Sequence, residues 1–314
     1  MLLFPGQGSQ KPGMGKDLVA GYSAARDVFE RADEALGVSL SGLCFEGPAD
    51  DLTLTHNAQP ALLTHGAAVW AATRDVVGPS VVAAAGHSLG ELTAYHAAAS
   101  LTLEDAVRVV RRRGQLMYDN GVKRPGAMAA LLGDTTRPIE DICAEATAEA
   151  GVVVPANYNS PGQVVISGEE AGVERAMVLA KEAGIKRATR LKVSGAFHSP
   201  LMESVVDGLA EALESASFTD PHFAVYANVN AEPVLRAARA KELLLEQVSK
   251  PVRWAEEIGA MSKAYPHALY VEMGPGSVLG GLVKRIAPTV ETMSCGTAAE
   301  VNQLRERVAQ ANAQ

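Results

Sequence analysis

A chain of 314 residues, 47% hydrophobic and 20% charged, has an ordinary globular composition and is long enough to bury a substantial core. Its formal charge of -8 argues against a general binder of nucleic acid, although a local basic patch remains compatible with it. Cys44, Cys143 and Cys295 are odd in number, widely spaced and free of any C-x-x-C pair, which speaks against a disulfide framework or a zinc site and fits a reducing, cytoplasmic setting; no signal peptide or bilayer-length apolar run is read either.

Leu2-Leu3-Phe4 reads as a short buried strand that breaks into Pro5-Gly6-Gln7-Gly8-Ser9-Gln10. In an α/β sheet ligands collect beyond the carboxyl ends of the strands, so this loop is either one wall of a site or a flexible surface loop. Helical patterns follow near Asp17–Leu36 and Pro60–Val77.

Next comes an apolar run, Val81–Ala85, which meets Gly86-His87-Ser88-Leu89-Gly90 and passes at once into a helix without a polar stripe. Strand, sharp turn and buried helix built around Gly-x-Ser-x-Gly describe a nucleophile elbow. Gly86 and Gly90 would leave room for a strained turn, and the Leu89 backbone N–H would point toward an oxyanion formed at a carbonyl attacked by Ser88. The alternative is an ordinary strand-to-helix turn in which Ser88 caps the helix.

The helix over 103–117 carries Arg111-Arg112-Arg113. Ala106, Val109, Val110 and Met117 share the face of Arg113, the apolar one, whereas Arg108, Arg111 and Arg112 point elsewhere. A guanidinium on a buried stripe needs an anion, which here is either an internal Asp or Glu or the carboxylate of a ligand.

From Gly126 the rhythm changes. Strands near Met128–Leu132, Val152–Ala156, Gln163–Ser167 and Ala188–Val193 alternate with helices near Pro138–Ala150 and Glu170–Ala183, in the β-α-β-β-α-β order of a ferredoxin-like unit. Residues 157–162 read as the loop between the two central strands. The sequence thus divides into a large α/β domain with a mainly parallel sheet, residues 1–125 and 194–314, and an inserted small domain, 126–193, with the substrate cleft expected between them.

Of seven histidines, His198 lies in a small-residue turn at the domain junction, where a base can reach a neighbouring loop. It precedes a helix near Leu201–Ser217. Strands near Ala224–Asn228, Ala268–Met273 and Val290–Ser294, and helices ending near Gln247, starting at Trp254, and over Val278–Ile286 and Ala298–Ala311, complete the large domain.

Taken together, Phe4–Gln10, Gly86–Glu91, Arg113-Gly114 with Met117, Asn159–Gly168, Gly195–His198 and Gly274-Pro275-Gly276 resemble, in order and over nearly the whole chain, the malonyl-CoA:acyl-carrier-protein transacylases. The resemblance implies an α/β-hydrolase-like large domain with a ferredoxin-like insertion. It implies Ser88 as nucleophile, His198 as general base and then acid, backbone N–H groups of Gln7 and Leu89 as oxyanion hole, and Arg113 as the grip on the malonyl carboxylate. It also implies a main-chain carbonyl near Gln247 orienting the histidine, and Phe197 narrowing the pocket in favour of malonyl over methylmalonyl.

The implied reaction is ping-pong transfer of malonyl from malonyl-CoA to the phosphopantetheine thiol of an acidic acyl carrier protein, with no bound cofactor. Lys186 and Arg187, with Arg190 and Lys192, are either the landing patch for that carrier or the CoA phosphates, or a solvated strand edge. A monomer is expected, with neither nucleic acid nor membrane as partner. A free-standing polyketide acyltransferase, a serine hydrolase and a silent carrier-binding module are the rivals.

Overall fold

The computed structural model describes residues 1–312. The chain runs β1 (Leu2–Phe4), α1 (Lys16–Gly21), α2 (Ser23–Leu36), α3 (Leu40–Glu46), α4 (Ala49–Thr53), α5 (Thr55–Val77), β2 (Ala83–Gly86), α6 (Leu89–Ala97) and α7 (Leu103–Lys123). It continues through β3 (Ala127–Leu132), α8 (Ile139–Ala150), β4 (Val153–Ser160), β5 (Gln163–Gly168), α9 (Glu170–Glu182) and β6 (Arg187–Arg190). The last part comprises α10 (Val206–Ser215), β7 (Ala224–Tyr226), β8 (Pro233–Val234), α11 (Ala237–Gln247), α12 (Trp254–Ala264), β9 (Leu269–Met273), α13 (Val278–Ile286), β10 (Glu291–Cys295) and α14 (Ala298–Asn312).

Two sheets result. The larger has the order β10-β9-β1-β2-β7-β8, with every neighbouring pair parallel except the short β7–β8 edge. Its residues alternate between two cores, as a pleated sheet covered on both faces requires. Leu2, Phe4 and Ala84 face the helices α2, α5, α6 and α7, whereas Leu3, Ala83 and Ala85 face α12 and α13. The smaller sheet is antiparallel with the order β4-β5-β3-β6, the ferredoxin-like arrangement. On one face Ala127, Ala129 and Leu131 pack under α8 and α9; from the other, Met128, Ala156 and Val165 join the core of the larger unit.

Several elements differ from the sequence reading. The pattern over 17–36 is two helices, because Tyr22 is extended (φ -134°, ψ 117°) and ends the first. Helix α5 begins five residues before Pro60: the His56 carbonyl that a proline at 60 leaves without its amide partner is taken by Arg111 Nη1 at 2.6 Å. The segment 157–160, read as loop, belongs to β4, which is tied to the larger unit by Tyr158 N–H to Val252 C=O and Val252 N–H to Ala156 C=O, both 2.9 Å. The helix read over 201–217 opens as a 3-10 turn at Pro200–Val205. Helices α3 and α4 and the two-residue β8 have no counterpart in that reading. The three cysteines are free and buried. Among the described residues no helix is long and apolar enough to cross a membrane.

The parallel pairing of β1 with β2 brings the loops after both strands together, His87 N–H donating to the Phe4 carbonyl at 3.0 Å. The approach is close enough to exclude side chains. A Cβ at Gly86 would lie 2.0 Å from the Gly90 carbonyl, and one at Gly90 would lie 2.2 Å from that of Phe4. Gly86→Ala is therefore expected to lower stability by about 3 kcal/mol through overpacking against backbone. Gly281→Ala, in an open helical position, should raise it by about 0.5–1 kcal/mol. Denaturant midpoints of the two variants check the contrast.

Candidate active site

Ser88 sits between β2 and α6 with φ 55° and ψ -111°, a left-handed φ that a non-glycine residue holds only when its surroundings impose it. Its side chain does not cap the helix. The hydroxyl instead meets His198 Nε2 at 2.8 Å and accepts from Arg113 Nη2 at 3.0 Å. His198 Nδ1 lies 2.8 Å from the Gln247 backbone carbonyl. A carbonyl only accepts, so Nδ1 carries the proton and Nε2 is left as the acceptor for the serine O–H. Burial, then the Arg113 charge, lowers the His198 pKa to about 3, so the ring is neutral and able to accept a proton throughout the neutral range.

Arg113 is 2% exposed, on the buried face of α7 that the apolar spacing marked out, while Arg108 and Arg112 are exposed. Its guanidinium donates to Gln59 Oε1 (2.7 Å) and Gln247 Oε1 (2.9 Å) besides Ser88, and it makes no ion pair with any described acid. These contacts use three of its five N–H donors. Desolvation lowers its pKa to about 10, which still leaves it a cation near neutrality.

The Gln7 and Leu89 backbone N–H groups donate to no acceptor among the described residues, and both residues line the cavity in front of Ser88. The Gln7 side chain turns aside to Thr55 Oγ1 at 3.3 Å. This cavity, about 110 Å³, is walled by Met117, Met128, Leu191, Val193 and Phe197, so it offers a small apolar space ending at polar groups. A groove of about 710 Å³ lies at the far end of α6, around Trp70 and His96, and contains none of these residues. Lys186, Arg187 and Lys192 are exposed on and beside β6, whereas Arg190 is occupied by Glu170 and Glu174.

Four side chains of the site carried no role in the sequence reading. Gln59 lies in an apolar helix, and Glu91 follows the elbow in another; a lone polar residue in an apolar run is the signal each offered. Asn228 stands under the elbow: Oδ1 accepts from Ser88 N–H (2.7 Å), while Nδ2 donates to the Gly86 carbonyl (2.8 Å) and to Glu257 Oε2 (3.0 Å). Its own N–H donates to Glu91 Oε2 at 3.0 Å. The fourth is the Gln247 side chain, which touches Arg113, Glu91, Asn228 and the Ser88 carbonyl.

A serine whose hydroxyl meets both a neutral histidine and a buried cation, beside two free amide donors, is equipped for transfer of an acyl group. The chain belongs to the acyl transferase domain family, whose model matches residues 1–310, and is an acyltransferase enzyme. It is similar to the malonyl CoA-acyl carrier protein transacylase of Bacillus subtilis (strain 168), with 46% identity over 292 residues, 93% of this chain and 92% of that one. A crystal structure of acyl-carrier-protein-S-malonyltransferase from Bartonella henselae superposes with a TM-score of 0.93 at 42% identity, over 98% of both chains. A malonyl-transacylase solved in complex with its type II PKS acyl-carrier protein gives 0.89 at 37%, again over 98% of each.

Asn228→Ala would remove the hydrogen-bond partner that Asn228 supplies to the Ser88 N–H, the Gly86 carbonyl and Glu257. Each such buried orphan costs about 1–3 kcal/mol, so a stability loss of at least 2 kcal/mol is expected in urea unfolding.

Proposed function

We propose that this acyltransferase moves a malonyl group from malonyl-CoA to the phosphopantetheine thiol of an acyl carrier protein by way of a malonyl ester on Ser88. The observation that carries the reading is that one hydroxyl, Ser88 Oγ, lies within hydrogen-bond reach of both His198 and Arg113. A base alone would suit any acyl ester. A buried cation with donors to spare, at the same oxygen, suits an acyl group that ends in a carboxylate.

In the proposed sequence His198 Nε2 takes the Ser88 proton as Oγ bonds to the thioester carbon. The carbonyl oxygen becomes an oxyanion facing the Gln7 and Leu89 N–H groups, a type of contact worth about 3–4 kcal/mol per donor. The C–S bond then breaks, and His198 returns the proton to the leaving CoA sulfur. The carrier's thiol repeats these steps in reverse order: it loses its proton to His198, its sulfur bonds to the ester carbon, and Ser88 leaves with the proton. The Gln247 carbonyl holds the imidazole in the tautomer both halves need. Phe197, on the cavity wall, limits the space beside the malonyl α-carbon. The site has all its acid–base groups within the chain, so no bound cofactor enters this scheme.

We assign residues 1–125 and 194–314 to the catalytic domain and 126–193 to the inserted one, in keeping with the two separate sheets. Lys186, Arg187 and Lys192 are proposed as the landing ground for an acidic carrier, since all three are exposed and none forms an ion pair with another described residue that would cancel its charge. Fatty-acid and polyketide carriers present the same thiol, and the comparison with a type II PKS complex makes either a reasonable acceptor.

Two experiments test these readings. In a loading assay with equal malonyl-CoA and acetyl-CoA, the enzyme should favour malonyl by roughly 10⁴-fold, and Arg113→Ala should reduce that preference to less than about tenfold. Unchanged selectivity in Arg113→Ala would remove the arginine from substrate binding, and rapid release of free malonate without carrier would favour a hydrolase. Arg187→Glu should raise the KM for carrier protein several-fold at low salt while leaving that for malonyl-CoA unaltered; equal changes in both would dismiss the patch.

A further inference from the structure

Arg113 and Glu91 form a separated charge pair. Glu91, fully buried at the start of α6, accepts at a single oxygen: Oε2 takes the Gln247 Nε2–H (2.7 Å) and the Asn228 N–H (3.0 Å). Its Oε1 has no hydrogen-bond partner among the described residues. The same Gln247 amide accepts from Arg113 at its other end (2.9 Å). A buried cation and a buried acid thus communicate through one neutral amide and never touch. Isolated charges are costly to bury, so each serves the other as the nearest counter-charge.

An arriving carboxylate upsets this balance. Once the arginine is neutralised by an external anion, an ionised Glu91 becomes an excess negative charge in a desolvated cluster, and its free Oε1 is the place for a proton. We propose that Glu91 is the resident counter-charge of Arg113 and takes up one proton when the substrate's carboxylate occupies the arginine, so that recognition of an acyl group ending in a carboxylate is coupled to proton uptake. This rests on the reading of Arg113 given under Proposed function. In it Glu91 is a positioning residue that acts through Gln247 and Arg113.

The groups around Glu91 leave it the one poised to titrate. Burial raises its pKa to about 7, with Asn228, Gln247 and then Arg113 opposing the rise. Glu257, reaching in from α12, is pushed well above the usual carboxylate range by burial and by Glu91, which favours its protonated form. Tyr95, one turn further along α6, is likewise raised well above its ordinary value and stays protonated. His198 at about 3 and the buried His65 of α5 at about 4 are both neutral, and β1 and β2 present no titratable side chain.

Bound carboxylate raises the Glu91 pKa further, so above pH 7 the complex holds a proton that the free enzyme lacks, and affinity for the acyl group falls as pH rises. Below about pH 6 Glu91 is protonated in both states and the coupling vanishes.

The probe is the malonyl thioester of N-acetylcysteamine, which carries no phosphate and whose transfer to serine releases a neutral thiol, with no net proton from the chemistry itself. Its KM should rise toward tenfold per pH unit between pH 7 and 8.5 with the natural enzyme. Glu91→Gln keeps an acceptor for both N–H groups but carries no charge, so it should show a flat KM and, at pH 8.5, tighter binding than the natural enzyme. In weak buffer with an indicator dye, the unmodified enzyme should take up close to one proton per site at pH 8 and close to none at pH 5.5. A flat KM in the natural enzyme, an unchanged slope in Glu91→Gln, or no uptake at pH 8 would each overturn the coupling. If Arg113→Ala loses its malonyl selectivity while any of these occurs, only the coupling fails. If that variant keeps its selectivity, the arginine reading itself has failed.

Discussion

A buried polar group must find a partner, and in this molecule that requirement falls most heavily on Gln247. Its carbonyl accepts from the histidine, its amide oxygen from the arginine, and its amide nitrogen reaches Glu91, Asn228 and the Ser88 carbonyl. One residue at the end of α11 therefore fixes the relative placement of the proposed base, the proposed anion grip and the serine between them. Because a carboxamide has one accepting and one donating end, the orientation of this side chain is determined by its neighbours: a flipped amide would set donor against guanidinium and acceptor against carboxylate.

A carboxylate commonly orients the histidine of a serine triad; here a main-chain carbonyl does so. The difference is electrostatic. A neutral acceptor adds no negative charge next to the serine, where it would compete for Arg113 with the carboxylate proposed to bind there. The acids that are present, Glu91 and Glu257, stand behind Gln247 and Asn228 and do not touch the histidine.

Much of this was legible in the chain itself. Helix α13 falls on Val278–Ile286 as its apolar spacing dictates, and Arg113 could be singled out from three consecutive arginines because only it shares a face with Val109, Val110 and Met117. Ser88 and His198 stand in turns flanked by small residues, which is a local signal. Gln59 offers only its polarity in an apolar helix and Asn228 offers no signal, since their importance comes from what lies across the fold: Arg113 is 54 residues away from the first, and Ser88 is 140 away from the second. The break at Tyr22 was hidden for a related reason: the sequence marks it only with Gly21, which a helix can accommodate at modest cost, and the Tyr22 hydroxyl is held by Asn302 from α14. The start of α5 escaped because Arg111 relieves the carbonyl that Pro60 abandons, and a substitute donor of that kind belongs to tertiary structure.

The extension of β4 through residue 160 has a mechanical meaning. Its backbone clasps Val252, five residues beyond Gln247, through two backbone hydrogen bonds, so the smaller sheet is riveted to the segment that leads away from the histidine's support. Swinging that sheet aside to widen the entrance would tug on the same strut that aligns the imidazole. Such a molecule gains little from gaping and snapping shut, since the two strand bonds to Val252 favour an aperture of fixed width.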